Sequence, residues 1–168
     1  LVEVSSGSQV RLRLLIHVGN QALSASGKQF KLQYKNCISG SYADIGGDVS
    51  FTNNAAPADG DTLTANANDP THSSDGVVNQ TYEEANNFTN SVAAIPAGQD
   101  GMWDFALTPT FVEGVESNPL EKMFAKLGLI KITKAVEVSS RNYCFQVVQS
   151  DGTVLNTYEQ TPQITVNP

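Results

Sequence analysis

Asp59, Asp61, Asn66, Asn68 and Asp69 fall within one short stretch of the chain. Calcium prefers about six to eight oxygens drawn from carboxylates, amides and backbone carbonyls, and these side chains supply several. Asp75 follows close behind. The spacing is not that of an EF-hand, and the same composition also makes a solvated, turn-rich loop. Calcium at this loop is therefore one of two expectations. The stretch belongs to a longer one, 52–76, in which Leu63 is the only large apolar residue. Loops beyond about 12–15 residues are uncommon in compact domains and are often functional.

Other chemistry lacks its parts. A serine–histidine–aspartate site needs a histidine beside a nucleophile. The chain has two histidines, His17 and His72. His17 lies opposite the apolar set of an alternating strand, which predicts a solvent-facing side chain. His72 falls in the long loop. No nucleophile elbow, phosphate loop, dinucleotide fingerprint or zinc-protease helix is present. Glu83 and Glu84 are adjacent, so on a strand they point to opposite faces and cannot form a glycosidase pair. The chain is expected not to be an enzyme.

Cys37 and Cys144 both fall in strand-like segments, without zinc-site spacing. They are read as one disulfide, which places the protein outside the cytoplasm. Two separate thiols in a reducing compartment are the alternative. Asn79-Gln80-Thr81 and Asn87-Phe88-Thr89 are glycosylation acceptor triplets, relevant only in a source that uses them.

The elements that must position these residues are strands. Val10, Leu12, Leu14, Ile16 and Val18 share one face; Arg11, Arg13, Leu15 and His17 share the other. A period of two marks a half-buried strand. Phe30, Leu32 and Tyr34 alternate in the same way with Lys31, Gln33 and Lys35. A weaker strand, 42–51, is interrupted by Gly46 and Gly47. Further strands are predicted over 77–84, 88–95, 102–107, 130–138, 143–149, 154–158 and 163–166. Trp103, Phe105 and Leu107 share one face of theirs. Pro96 to Gly101 is read as a turn. Asp151-Gly152 between two strands predicts a type I′ hairpin. One helix is predicted over 119–127: Asn118 caps it, Pro119 suits its first position, and Gly128 ends it. The fold class is all-β, a two-sheet antiparallel sandwich in one domain spanning 1–168. Residues 111–140 form an insertion that carries the short helix.

Composition excludes several classes of function. Charged residues are only 16% and hydrophobic residues 40%, too apolar for a disordered chain. The net charge is −7 and the basic residues are scattered, which argues against nucleic acid. No run reaches the ~18 apolar residues that span a bilayer. The sequence opens at Leu1, with no signal peptide visible, which fits a processed protein or a piece of a longer one. Val2-Glu-Val-Ser-Ser6 recurs as Val136-Glu-Val-Ser-Ser140, too short an echo to argue duplication.

The text Thr81-Tyr-Glu-Glu-Ala-Asn-Asn-Phe-Thr-Asn90, Trp103-Asp-Phe105, Asn142-Tyr-Cys-Phe-Gln-Val-Val-Gln-Ser-Asp-Gly-Thr153 and Thr157-Tyr158…Pro162-Gln-Ile-Thr165 resembles a module of large bacterial cell-surface proteins, largely from uncultured lineages. That module is similar to fibronectin-type-III or immunoglobulin-like sandwiches. The strands from Val10 to Tyr34 fit it as well; 111–140 does not. Tyr143-Cys144 resembles the Tyr-x-Cys of an immunoglobulin strand, with a spacing one residue shorter. Asp59-Gly-Asp-Thr-Leu-Thr64, with Asn68-Asp-Pro70, resembles the calcium-linker wording of cadherin-like repeats. The resemblance implies extracellular display and a structural or adhesive role, with no catalytic residues to carry over. On this reading Leu1, Val2, Glu3 and Val4 are a candidate donor strand for a neighbour, or else pair within their own sheet. The alternative function is a carbohydrate- or ligand-binding module. Trp103, Tyr82, Tyr42 and Tyr158 are its candidate platforms, though Trp103 shares a face with core-type residues.

Overall fold

The computed structural model describes residues 2–64, 76–110, 140–158 and 161–168. The predicted helix at 119–127, the predicted strand at 130–138 and the rest of the insertion up to 139 lie outside them. So do His72, Asp75 and Leu1. The described chain is all-β and contains no helix.

Ten strands follow in order: β1 Val2–Ser5, β2 Val10–Val18, β3 Gln29–Asn36, β4 Ala43–Asp44, β5 Val49–Phe51, β6 Val77–Glu83, β7 Phe88–Thr89, β8 Gln99–Pro109, β9 Arg141–Gln149 and β10 Gln163–Asn167. They form two sheets, mostly antiparallel. Sheet A runs β1-β10-β9-β3-β4, with β7 also on β3. Sheet B runs β2-β8-β5, with β6 also on β8. Two pairings are parallel, β1 with β10 and β6 with β8.

The inner faces meet in one core, giving a β-sandwich-like body. Sheet B contributes Val10, Ile16, Val18, Trp103, Phe105 and Leu107. Phe30, Leu32, Tyr143, Phe145, Val147, Ile164 and Val166 come from sheet A. Trp103 sits at the centre, fully buried, with Phe88 5.6 Å away between ring centroids and Phe30 6.2 Å away. Its indole N–H donates to the Thr89 carbonyl at 3.1 Å. Burying a large aromatic side chain stabilises only if its polar edge finds a partner, and here it does. Gly101 makes room for this ring: a Cβ there would lie 2.3 Å from Ile95 Cδ1 and 2.7 Å from the indole.

Several boundaries differ from the sequence reading. The predicted turn at 96–101 ends earlier, because Gln99 to Gly101 pair with β2 in register Val18↔Gln99 and Ile16↔Gly101. The predicted strand at 88–95 shrinks to Phe88–Thr89 plus an isolated bridge, Leu23↔Ile95. The predicted strand at 42–51 is two short pieces, β4 and β5. The return strand at 154–158 is a single bridge, Val148↔Val154. The Asp151-Gly152 turn is not type I′. Gly152 alone of the two has positive φ, +91°, and its N–H donates to the Gln149 carbonyl. Gln149 then donates to the Thr153 carbonyl, so three residues make the loop and the glycine takes the left-handed position after the turn.

Candidate functional site

Because Phe30 and Leu32 of β3 and Phe145 and Val147 of β9 face the core, the alternating residues Lys31, Gln33, Lys35, Cys144 and Gln146 point to the outer face of sheet A. There they form a ladder. Gln146 Nε2 donates to Gln33 Oε1 at 3.0 Å. Gln33 Nε2 donates to Asp44 Oδ1 at 2.8 Å, and Lys31 Nζ donates to Asp44 Oδ2 at 3.0 Å. The Gln33 amide, then the Lys31 ammonium, hold the Asp44 carboxyl below its usual range.

Lys35 continues the row but has a different neighbour. Its ammonium lies 4.8 Å from the centroid of the half-buried Tyr42 ring. Burial first, and Tyr158 nearby second, push the Tyr42 phenol up. The ring of Tyr158 is 38% exposed, while its hydroxyl is fixed: it donates to the Val147 carbonyl at 2.6 Å and accepts from the Leu155 N–H at 3.1 Å. The Cys37–Cys144 disulfide lies beside Lys35, tying the residue just after β3 to β9 with Cα atoms 5.1 Å apart. The predicted pairing of the cysteines is thus present. It joins neighbouring strands of one sheet and is compatible with an oxidising environment.

The outer face of sheet B is built differently. Asp104 is fully buried and receives both Arg13 and Arg11. Arg13 Nη2 donates to Asp104 Oδ2 at 2.8 Å, and that hydrogen bond keeps the guanidinium above its usual range. Asp100, also fully buried, contacts His17 Nδ1 at 3.0 Å. His17 is exposed, so the expectation of a solvent-facing histidine holds, with an acidic partner that the sequence reading did not name. Arg11 also lies 5.6 Å over the buried Tyr82 ring. Tyr82, Leu63, Met102 and Ala106 make a second, smaller core on this face.

The described part of the long loop folds back against β6. Gly60 and Leu63 donate to the carbonyls of Tyr82 and Gln80, and Tyr82 donates to that of Asp61. Of the calcium candidates, Asp59 and Asp61 are described; Asn66, Asn68 and Asp69 lie outside the described residues. Asp61 Oδ2 accepts the Ala58 N–H, and Asp59 Oδ1 accepts the Glu84 N–H, both at 2.7 Å. These carboxylates therefore pin turns. Among the described residues no group of three or more histidine, cysteine or acidic side chains is placed to hold a metal. Glu83 is buried and takes the Thr81 hydroxyl, while Glu84 takes the Asn54 N–H. Burial pushes the Glu83 carboxyl up to about 7; the Thr81 hydroxyl lowers it and Asp59 raises it.

Of the four candidate platforms, Trp103 and Tyr82 are buried, which removes them from contact with a ligand at the surface. Tyr42 lies against the Lys35 ammonium, and Tyr158 is partly exposed with its hydroxyl on the Val147 carbonyl of β9. Val2, Glu3 and Val4 lie in β1, which pairs within the chain in register Val2↔Ile164 and Val4↔Val166. Among the described residues no helix is long and apolar enough to cross a membrane. Compared with known proteins, the chain matches no family model, no curated protein and no solved structure.

Proposed function

We propose that this chain is a non-enzymatic, extracellular structural or adhesive module of a bacterial surface layer, pilus or fibre, with an immunoglobulin-like sandwich that assembles by strand pairing. The observation that carries it is the way sheet A ends. Its edge is closed by β1, a four-residue strand running parallel to β10. Val2 is 58% exposed and only Val4 packs on the core. So little buried surface makes the strand cheap to detach. A neighbouring copy presenting its own β1 would restore the same pairs, which is the low-cost route to assembly by exchange of an identical element.

The immunoglobulin-like part of the reading rests on strand order. With β2, β3, β4, β5, β8, β9 and β10 taken as strands B, C, C′, D, E, F and G, the sheets run G-F-C-C′ and B-E-D, as in that fold. The Tyr143 hydroxyl, near the start of β9, points at the Asp48 carboxylate at 3.2 Å and the Thr110 carbonyl at 3.3 Å, so it does not reproduce the tyrosine corner of that fold, which bonds to backbone a few residues upstream. The tryptophan and the disulfide depart from the pattern, since Trp103 is on β8 and the disulfide joins β3 to β9.

Deletion of residues 1–6 tests the assembly. Sedimentation and negative-stain microscopy are expected to show fibres or oligomers for the full chain and a folded monomer for the deletion. Assembly that survives the deletion sinks the strand-exchange reading.

A second reading, a carbohydrate- or ligand-binding module, is supported by the tyrosine and amide surface on sheet A. Calcium at the loop that begins with Asp59 and Asp61 is an addition to it. A melting temperature indifferent to added calcium would remove that addition.

A further inference from the structure

Two side-chain amides lie wholly inside the protein. Gln80 of β6 and Asn90, just after β7, are both 0% exposed. Their nitrogens converge on one backbone oxygen. Gln80 Nε2 donates to the Ala93 carbonyl at 3.1 Å, and Asn90 Nδ2 donates to the same carbonyl at 3.2 Å. Asn90 Nδ2 also donates to the Ser24 carbonyl at 2.7 Å. These partners fix which end of each amide is nitrogen, because turning either over would set a carbonyl oxygen against that of Ala93. Gln80 Oε1 and Asn90 Oδ1 therefore remain as acceptors, fully buried, and among the described residues no donor reaches either of them.

A carbonyl oxygen taken out of water without a donor is destabilising, and native interiors almost always supply one. The backbone donors of this neighbourhood are already engaged. Leu23 and Ile95 donate to each other's carbonyls at 2.9 Å, and the Ser26 N–H donates to the Asn90 carbonyl at 3.2 Å. The Trp103 indole N–H is taken by Thr89. The side-chain bonds of both amides go to neutral carbonyls, so a metal ion would find no compensating charge there. Water fits: it is neutral, donates two hydrogens, and bonds buried polar groups that the chain itself leaves without partners. We propose that the interior beside Ala93 is a binding site for ordered water, which donates to Gln80 Oε1 and Asn90 Oδ1. The water completes a polar junction between β6, the 90–95 segment and the connection from β2 to β3. It exchanges with solvent only when that junction opens.

Two measurements on the folded, full chain test this. The first is nuclear Overhauser spectroscopy between water and the side-chain amide hydrogens of Gln80 and Asn90, in the laboratory and rotating frames. Cross-peaks with the sign of water that tumbles with the protein are expected for both residues. The second is a high-resolution crystal structure, in which a water is expected within about 3.2 Å of each oxygen. Gln80→Met keeps the side-chain length and removes one acceptor. It should weaken the water cross-peaks of Asn90 several-fold while the Trp103 indole resonance keeps its position. Amide oxygens that contact no water in either measurement overturn the proposal. So does a protein donor found against them, or a peak surrounded by oxygens at metal-ligand distance.

Discussion

On the outer face of sheet A, the half-exposed Asp44 carboxylate meets Lys31 and Gln33, which are partly buried, and Gln146 bonds Gln33. On the outer face of sheet B, Asp104 and Asp100 are fully buried beneath Arg11, Arg13 and His17. The polar chemistry is similar and the solvent is not. Exposed pairs gain little, because water screens them and long side chains lose freedom. A buried carboxylate is different: once its partner is removed, its desolvation has no compensation. The buried carboxylates of sheet B therefore hold the structure more than the half-exposed Asp44 of sheet A does. A covalent link supplies on sheet A what the buried pairs supply on sheet B.

The comparison predicts a graded series. Replacing both Cys37 and Cys144 by serine should have the largest effect. The bond closes a separation of 107 residues, for which chain entropy gives about 4–5 kcal/mol. Urea unfolding under oxidising conditions measures it, and an unchanged midpoint would remove the covalent half of the comparison. Next comes Asp104→Ala, which strands Arg13 against a dry face and should cost about 3 kcal/mol. The same unfolding curves report it. A loss as small as that of a surface pair would erase the contrast between the faces.

Glu83 gives a third effect, set by pH. Its carboxyl titrates at about 7 in the fold, against an ordinary 4.5. The folded state thus binds the proton more tightly than the unfolded chain. This contribution is full at acid pH, falls as pH rises from about 4.5 to about 7, and is flat above that. Its span is on the order of 2–3 kcal/mol. Glu83→Gln should flatten that limb and stabilise the protein at pH 8, as followed by melting temperature across pH. A limb unchanged in the variant would assign it to another group. The smallest effect should be Lys31→Ala, about 0.5 kcal/mol or less and sensitive to salt. A much larger loss would show that the sheet A ladder is structural after all.

Much of the framework was legible in the sequence. The alternation in 10–18 and 30–35 placed β2 and β3 and assigned their faces, because a strand's period of two is local and strict. The two cysteines were readable as a pair because both fell in strand-like segments without zinc-site spacing, although Cys37 lies one residue past β3. The mixed character of β8 was harder to see. Asp104 sits between Trp103 and Phe105, and only its cross-strand register opposite Arg13 makes a buried aspartate affordable there. The arginines at 11 and 13 were the available signal, yet without the partner strand they read as a solvated face.

Residue order by itself determined the all-β character of the described residues and the inward-facing apolar sets. Those follow from local periodicity. Tertiary structure decided which tyrosines reach the surface, that Lys35 meets a ring where Lys31 meets a carboxylate, and that β1 lies parallel to β10. It also turned two of the calcium candidates, Asp59 and Asp61, into turn caps. The pairing of β1 with β10 and the bond from Glu84 to Asp59 depend on residues far apart in the chain. Strand register and sheet packing, which no local pattern encodes, brought them together.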